Sequence, residues 1–294
     1  MKELILPFSL LLLLSACTAE SKRSETTEKE EVNMEAGPIE ESEKTSYYAI
    51  PSPEQMFVFI NDNGIDYNKS LVHNYQVAAN YTDPNKKALV FGVYSADLAY
   101  AAAYQDMEST IKLYETVRKL SLDLQIEDLM KDDMMQNIQT NMENPDSLAL
   151  IASEAYYNAI EHLESNGQEG KLALMSLGGW TESIYISLNA IVDVDLASSA
   201  VERITAQKIT FENLYTYLSE NKDELGVNAE LNKIQGIRDL FNSLQQGNSG
   251  KQTKKQGSKL VFGKGNKIQM TMEQFLKLKA EIGTYRSQMV GQNI

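Results

Sequence analysis

Lys87-Ala88-Leu89-Val90-Phe91-Gly92-Val93-Tyr94-Ser95-Ala96-Asp97-Leu98-Ala99-Tyr100 is the stretch on which the fold turns. It reads as the body of a helix that Asp83-Pro84 starts and that reaches Tyr104, with Gly92 as its expected kink. A second stretch, Gly178-Gly179-Trp180-Thr181-Glu182-Ser183-Ile184, follows the same order as Gly92 to Leu98: glycine, any residue, aromatic, hydroxyl, two residues, aliphatic. Gly92 and Gly178 lie 86 residues apart. An aromatic segment precedes each stretch (His73 to Tyr81; Tyr156 to Leu163), then a polar break, then Lys87-Ala88-Leu89 or Lys171-Leu172-Ala173. Two readings fit this: a duplicated helical unit, or chance similarity between two glycine-containing helix starts.

Outward from these stretches, the apolar residues keep helical spacing. Ser52-Pro53-Glu54-Gln55 is a capping-box pattern ahead of Met56, Phe57, Phe59 and Ile60, and Gly64 stops that helix. Further helices are expected from Asn68 to about Tyr81, Met107 to Leu124, Ile126 to Met142, Asn144-Pro145-Asp146 to Ser165, Lys171 to about Val192, Leu196 to Glu220 and Asn228 to Gln246. Asn166-Gly167 is a stop signal. Lys259-Leu260-Val261-Phe262 and Lys267-Ile268-Gln269-Met270 flank Gly263-Lys264-Gly265-Asn266 and predict a small β-hairpin or an irregular excursion. Thr271-Met272-Glu273-Gln274, a second capping box, opens the last helix. The fold class is therefore all-α, a multi-helix bundle or α-α array, with a hairpin near the C-terminus.

The N-terminus carries a different kind of signal. Leu14-Ser15-Ala16-Cys17 closes an apolar run that begins at Leu4 and contains the one cysteine of 294 residues. Small residues followed by cysteine form a lipobox: residues 1–16 are expected to be a lipoprotein signal peptide, and Cys17 the lipid attachment site. The run is too short to span a bilayer, which takes about 20 apolar residues. Acyl chains on Cys17 would anchor the chain through about 0.8 kcal/mol per buried CH₂. Thr18 follows, where inner-membrane lipoproteins carry aspartate, so the expected location is the outer membrane. Residues 17–46 form the expected lipidated tether. Nine Glu face four Lys or Arg between residues 18 and 46, with almost nothing apolar to bury. A helical domain is expected over 47–246, and a Lys-rich loop, hairpin and terminal helix over 247–294.

The formal charge of −14 argues against nucleic acid as a partner. Two histidines, His73 and His162, without HExxH spacing, make a His- or Cys-built metal site improbable. No nucleophile elbow or Walker loop is present, so neither an enzyme nor a cofactor is expected. One cluster carries chemistry. Tyr94, Asp97, Ala101 and Tyr104 fall near one helical face with Tyr100 beside it, and Trp180, Glu182, Ser183 and Tyr185 follow the Gly-Gly pair. Facing one another, these residues would line an aromatic pocket for a sugar, peptide or other small ligand. The competing reading is a packed core in which the hydroxyls bond Asp97 and Glu182.

These residues resemble a family of Bacteroidota lipoproteins of no known activity. The resemblance spans roughly Ser52 to Ile191 and rests on Ser52-Pro53-Glu54-Gln55, Lys87 to Tyr100, Asn144-Pro145-Asp146-Ser147 and Gly178 to Tyr185. It implies a lipobox joined to a helical body, and no functional residues. The expected role is a non-enzymatic binding or scaffold protein for an envelope partner, held to the membrane by its N-terminal lipid. A small-ligand receptor is the second reading, and a carboxylate-dependent glycan hydrolase the third. The lipobox is directly testable: Cys17→Ser should abolish incorporation of a fatty-acid analogue, and unchanged metabolic labelling of the variant would refute lipidation.

Overall fold

The computed structural model describes residues 53–126, 133–141, 143–224, 226–244, 255–256, 259–260 and 268–291. The signal peptide, Cys17, the tether and most of the Lys-rich loop lie outside them. Helices α1 (Pro53–Asp62), α2 (Pro84–Ala103), α3 (Met107–Asp123), α4 (Met134–Thr140), α5 (Pro145–Ser165), α6 (Glu169–Ala190), α7 (Ser199–Glu220), α8 (Val227–Lys233), α9 (Gln235–Ser243) and α10 (Met272–Val290) build an all-α body. Among the described residues, no helix is long and apolar enough to cross a membrane.

Local chemistry sets many of these boundaries. The side chains of Asp83, Asp106, Asn144 and Ser198 cap α2, α3, α5 and α7 by accepting backbone N–H groups of the first turn. Thr271 and Gln274 complete a reciprocal capping box on α10. Gly167, at φ +66°, takes the left-handed turn that ends α5.

The centre of the body is the pair α2 and α6. Lys87 near the start of α2 bonds Asp123, and Lys171 near the start of α6 bonds the Leu124 carbonyl, so both first turns meet the same end of α3. The two helices therefore run in the same direction. They touch backbone to backbone. A Cβ on Gly92 would sit 2.0 Å from the Met175 carbonyl oxygen, and one on Gly178 would sit 1.9 Å from that of Leu89. The contact is reciprocal: each glycine rests on the carbonyl three residues before the other. Gly92 is thus a point of close approach inside a continuous helix. Glycine is required here because any side chain would collide with main chain, which cannot rotate away. Apolar residues of α1, α3, α7, α8, α9 and α10 complete one core around this pair.

Three expectations change. Asn68 to Tyr81 is not a helix but two 3-10 turns, Lys69–Leu71 and Tyr75–Asn80, opened by the side chains of Asn68 and Asn74. Those side chains bond nearby N–H groups and stop helix from propagating. The Asn228–Gln246 segment divides into α8 and α9 at Ile234. The hairpin between Lys259 and Met270 is not supported. Lys255–Gln256 pairs instead with Lys259–Leu260, upstream of the predicted turn. Two rungs offer no apolar face to bury, and an isolated two-stranded pair is marginal in water.

The glycine crossing yields a comparison within one protein. Gly92→Ala and Gly178→Ala should each lower stability in denaturant melts by at least about 1–3 kcal/mol, the range for overpacking a filled core. Gly283→Ala, on α10 with nothing within 4 Å of the added carbon, should gain about 0.5–1 kcal/mol from helix propensity.

Candidate functional site

The predicted cluster does not converge on one cavity. It divides into three packed sets. The α2 set turns toward the irregular segment between α1 and α2. Tyr104 Oη donates to the Ile65 carbonyl at 2.5 Å, and Tyr100 Oη accepts the Asn68 N–H at 2.9 Å. Asp97 Oδ2 accepts the His73 N–H at 3.0 Å, and Tyr94 Oη donates to the Asn74 carbonyl at 3.0 Å. Four side chains on one face of α2 thereby serve four backbone groups of a segment that has few partners of its own. The rings of Tyr100 and Tyr104 also pack on Tyr67, and Tyr100 packs on Phe57. Burial pushes the Tyr94 and Tyr104 hydroxyls well above the usual phenol range and raises that of Tyr100.

Trp180 points elsewhere. Its ring meets Phe211 of α7 at 4.9 Å and Phe241 of α9 at 6.2 Å, and its indole N–H donates to Gln207 Oε1 at 3.2 Å. It does not join Tyr94.

Asp97 and Glu182 do come together, and they form the third set with a residue that the sequence reading missed. Arg286 of α10 clamps Glu182 through two bonds, Nε to Oε2 at 2.7 Å and Nη2 to Oε1 at 2.8 Å. Its guanidinium lies 4.3 Å from the ring centre of Tyr185. Asp97 and Glu182 are both 0% exposed, and Arg286 is 5% exposed. Burial raises the Asp97 pKa well above the ordinary carboxylate value, and the neighbouring Glu182 charge adds to the rise. Burial also raises Glu182, against the opposing effect of Arg286. Burial works against the Arg286 charge, but the Glu182 bonds hold its pKa above the usual value.

His73 closes this set. Tyr81 Oη donates its single hydrogen to the Val290 carbonyl at 3.0 Å, so it accepts from His73 Nε2 at 2.8 Å. The imidazole therefore carries a hydrogen on Nε2, and its buried Nδ1 has no partner for a second one. Its pKa falls to about 4, first from burial and then from the charge of Arg286. Arg286 was legible in retrospect, because it stands four residues after Ile282 on the stripe where α10 buries Phe275, Leu278 and Met289. A charge on an apolar stripe implies a buried partner. His73 had no such signal, since its role depends on its backbone N–H.

Together these features define the chain as an all-α body with a buried ionic centre where α2, α6 and α10 meet. Among the described residues, no group of three His, Cys, Asp or Glu could hold a metal ion. No family model, curated protein or solved structure matches the chain.

Two substitutions separate the sets. Trp180→Ala should cost about 3–5 kcal/mol in a denaturant melt, as for any large buried aromatic. Arg286→Ala should cost about 3–5 kcal/mol for a different reason: Glu182 would stay buried without its counter-charge. The second loss should shrink when Glu182→Gln is added, which a double-mutant cycle would read directly.

Proposed function

We propose that the protein is a lipid-anchored envelope protein, held at the outer membrane through Cys17, whose helical body is a non-enzymatic binding or scaffold module. The Leu14-Ser15-Ala16-Cys17 lipobox and the acidic tether support the anchoring, and the resemblance to Bacteroidota lipoproteins agrees with it. One observation carries the scaffold reading. The side chains a ligand pocket would use are engaged within the fold: Tyr94, Tyr100 and Tyr104 by backbone, Trp180 by Gln207, and Glu182 by Arg286. A small-ligand receptor needs such groups turned toward a solvent-open cavity and left to be satisfied by the ligand.

The body itself is read as a duplicated helical unit, α2–α3 and α6–α7, packed about the reciprocal glycine contact. Its two glycines stand 86 residues apart, and so do the carbonyls that they touch, Leu89 and Met175. The tether holds this body off the membrane, where its outer faces meet an envelope partner.

Mild crosslinking of the full chain in native membranes tests the proposal. A discrete crosslinked envelope protein, lost when Cys17→Ser releases the chain, is the expected result. A body that yields no protein crosslink but retains a sugar or peptide on gentle extraction would transfer the assignment to a receptor.

A further inference from the structure

The ionic centre has an unbalanced charge. Asp97 and Glu182 are both fully buried, and Arg286 is the cation that acts on both. Arg286 gives an N–H to each oxygen of Glu182. Asp97 Oδ2 accepts the His73 N–H, but Asp97 Oδ1 is buried and receives no N–H or O–H. The Asp97 and Glu182 carboxyl groups lie close enough to act on each other directly. Two carboxylates cannot hydrogen-bond, since both are acceptors only. A proton on one of them would make such a bond possible. An oxygen that lacks a donor is the one expected to carry a hydrogen and donate.

We infer that Asp97 and Glu182 share one proton in the folded protein at neutral pH, carried on Asp97, and that this proton is the condition for α10 to close over α2 and α6 with Arg286 in place. With it, the three charged groups sum to zero. Without it, one net negative charge is enclosed in the core, which an apolar surround does not tolerate. Among the described residues, the other groups facing the pair offer no second cation. His73 from the irregular segment is neutral and donates to Tyr81, Tyr94 and Tyr100 of α2 are neutral phenols, and Tyr185 of α6 presents its ring to Arg286. When the proton is lost it passes to solvent base, and the structure it permits is weakened.

The sign of the pH dependence follows. Asp97 binds its proton more tightly in the folded chain than in the unfolded one, where its pKa is about 3.9. Folded stability therefore falls as pH rises from that value to the raised folded one, about tenfold in the folding equilibrium per pH unit. His73 works in the opposite direction. Its folded pKa is about 4, below its unfolded value of about 6.5, so stability rises with pH between the two. The contributions of His73 and Asp97 offset one another in that window, while Glu182, also raised by burial, acts in the same direction as Asp97.

Asp97→Asn isolates the effect. An amide can accept the His73 N–H and donate to Glu182, so this variant keeps the geometry and needs no titratable proton. Denaturant melts of wild type and variant across pH 5 to 7 are expected to show the variant gaining roughly a hundredfold in relative folding equilibrium, at about tenfold per pH unit. A fixed ratio over that range would overturn the proposal. Infrared spectroscopy of the wild-type chain, isotope-labelled at the aspartate carboxyl carbons, gives an answer that does not depend on the variant folding. A protonated aspartate carbonyl band at neutral pH is expected, and its absence would equally overturn the proposal.

Discussion

The backbone contact between α2 and α6 is the constraint on which the rest of the structure depends. Gly92 and Gly178 let two parallel helices meet main chain to main chain, closer than any side chain permits. Everything one turn further on inherits that closeness. Asp97 and Glu182 end up side by side because their helices cannot separate, and two acids so placed in a dry core require a cation. Arg286 supplies it from the far end of the chain, which ties the terminal helix α10 to the central pair. A steric fact at two glycines thus becomes an electrostatic requirement at a third helix.

The irregular segment before α2 shows the same dependence from another direction. Two 3-10 turns leave backbone groups without helical partners, and such groups are costly to enclose. The polar face of α2 meets that need. Tyr104, Tyr100, Asp97 and Tyr94 bond successive parts of the segment from Ile65 to Asn74. A row of tyrosines and an acid on one helical face, which would suit a ligand pocket, serves here as the lining that lets a non-helical stretch lie on the core. The same Asp97 belongs to both the lining and the ionic centre, and Tyr81 at the end of the irregular segment also donates directly to the Val290 carbonyl of α10.

Much of the helical body could be read in advance, because helices are written by neighbours three and four residues apart. Asp83-Pro84, Asn144-Pro145 and Thr271 to Gln274 stand where helices begin, and Asn166-Gly167 where one ends. The readings that failed share a cause. From Asn68 to Tyr81 the apolar spacing suits a helix, yet two asparagine side chains and bonds to a distant helix hold the segment in another form. The break at Ile234 between α8 and α9 interrupts one continuous helical spacing, and Gly236 two residues on is its only local sign. The hairpin rested on two short runs flanking Gly263-Lys264-Gly265-Asn266, most of which lies outside the described residues.

By itself the sequence determined the class of fold and most helix starts, and it singled out Asp97 and Glu182, two of the residues that carry the central chemistry. It even marked Gly92 and Gly178 as equivalent points. Only the tertiary structure decided what those residues do. It sent Trp180 to Phe211, kept Tyr94 on the irregular segment, and joined Asp97 and Glu182 to an arginine more than a hundred residues beyond Glu182. The reason is physical. Caps and periodicity act within a few residues and leave their signature in order along the chain. Burial, counter-charge and backbone contact act through space, and a side chain becomes core, lining or ionic partner only when the helices around it have packed.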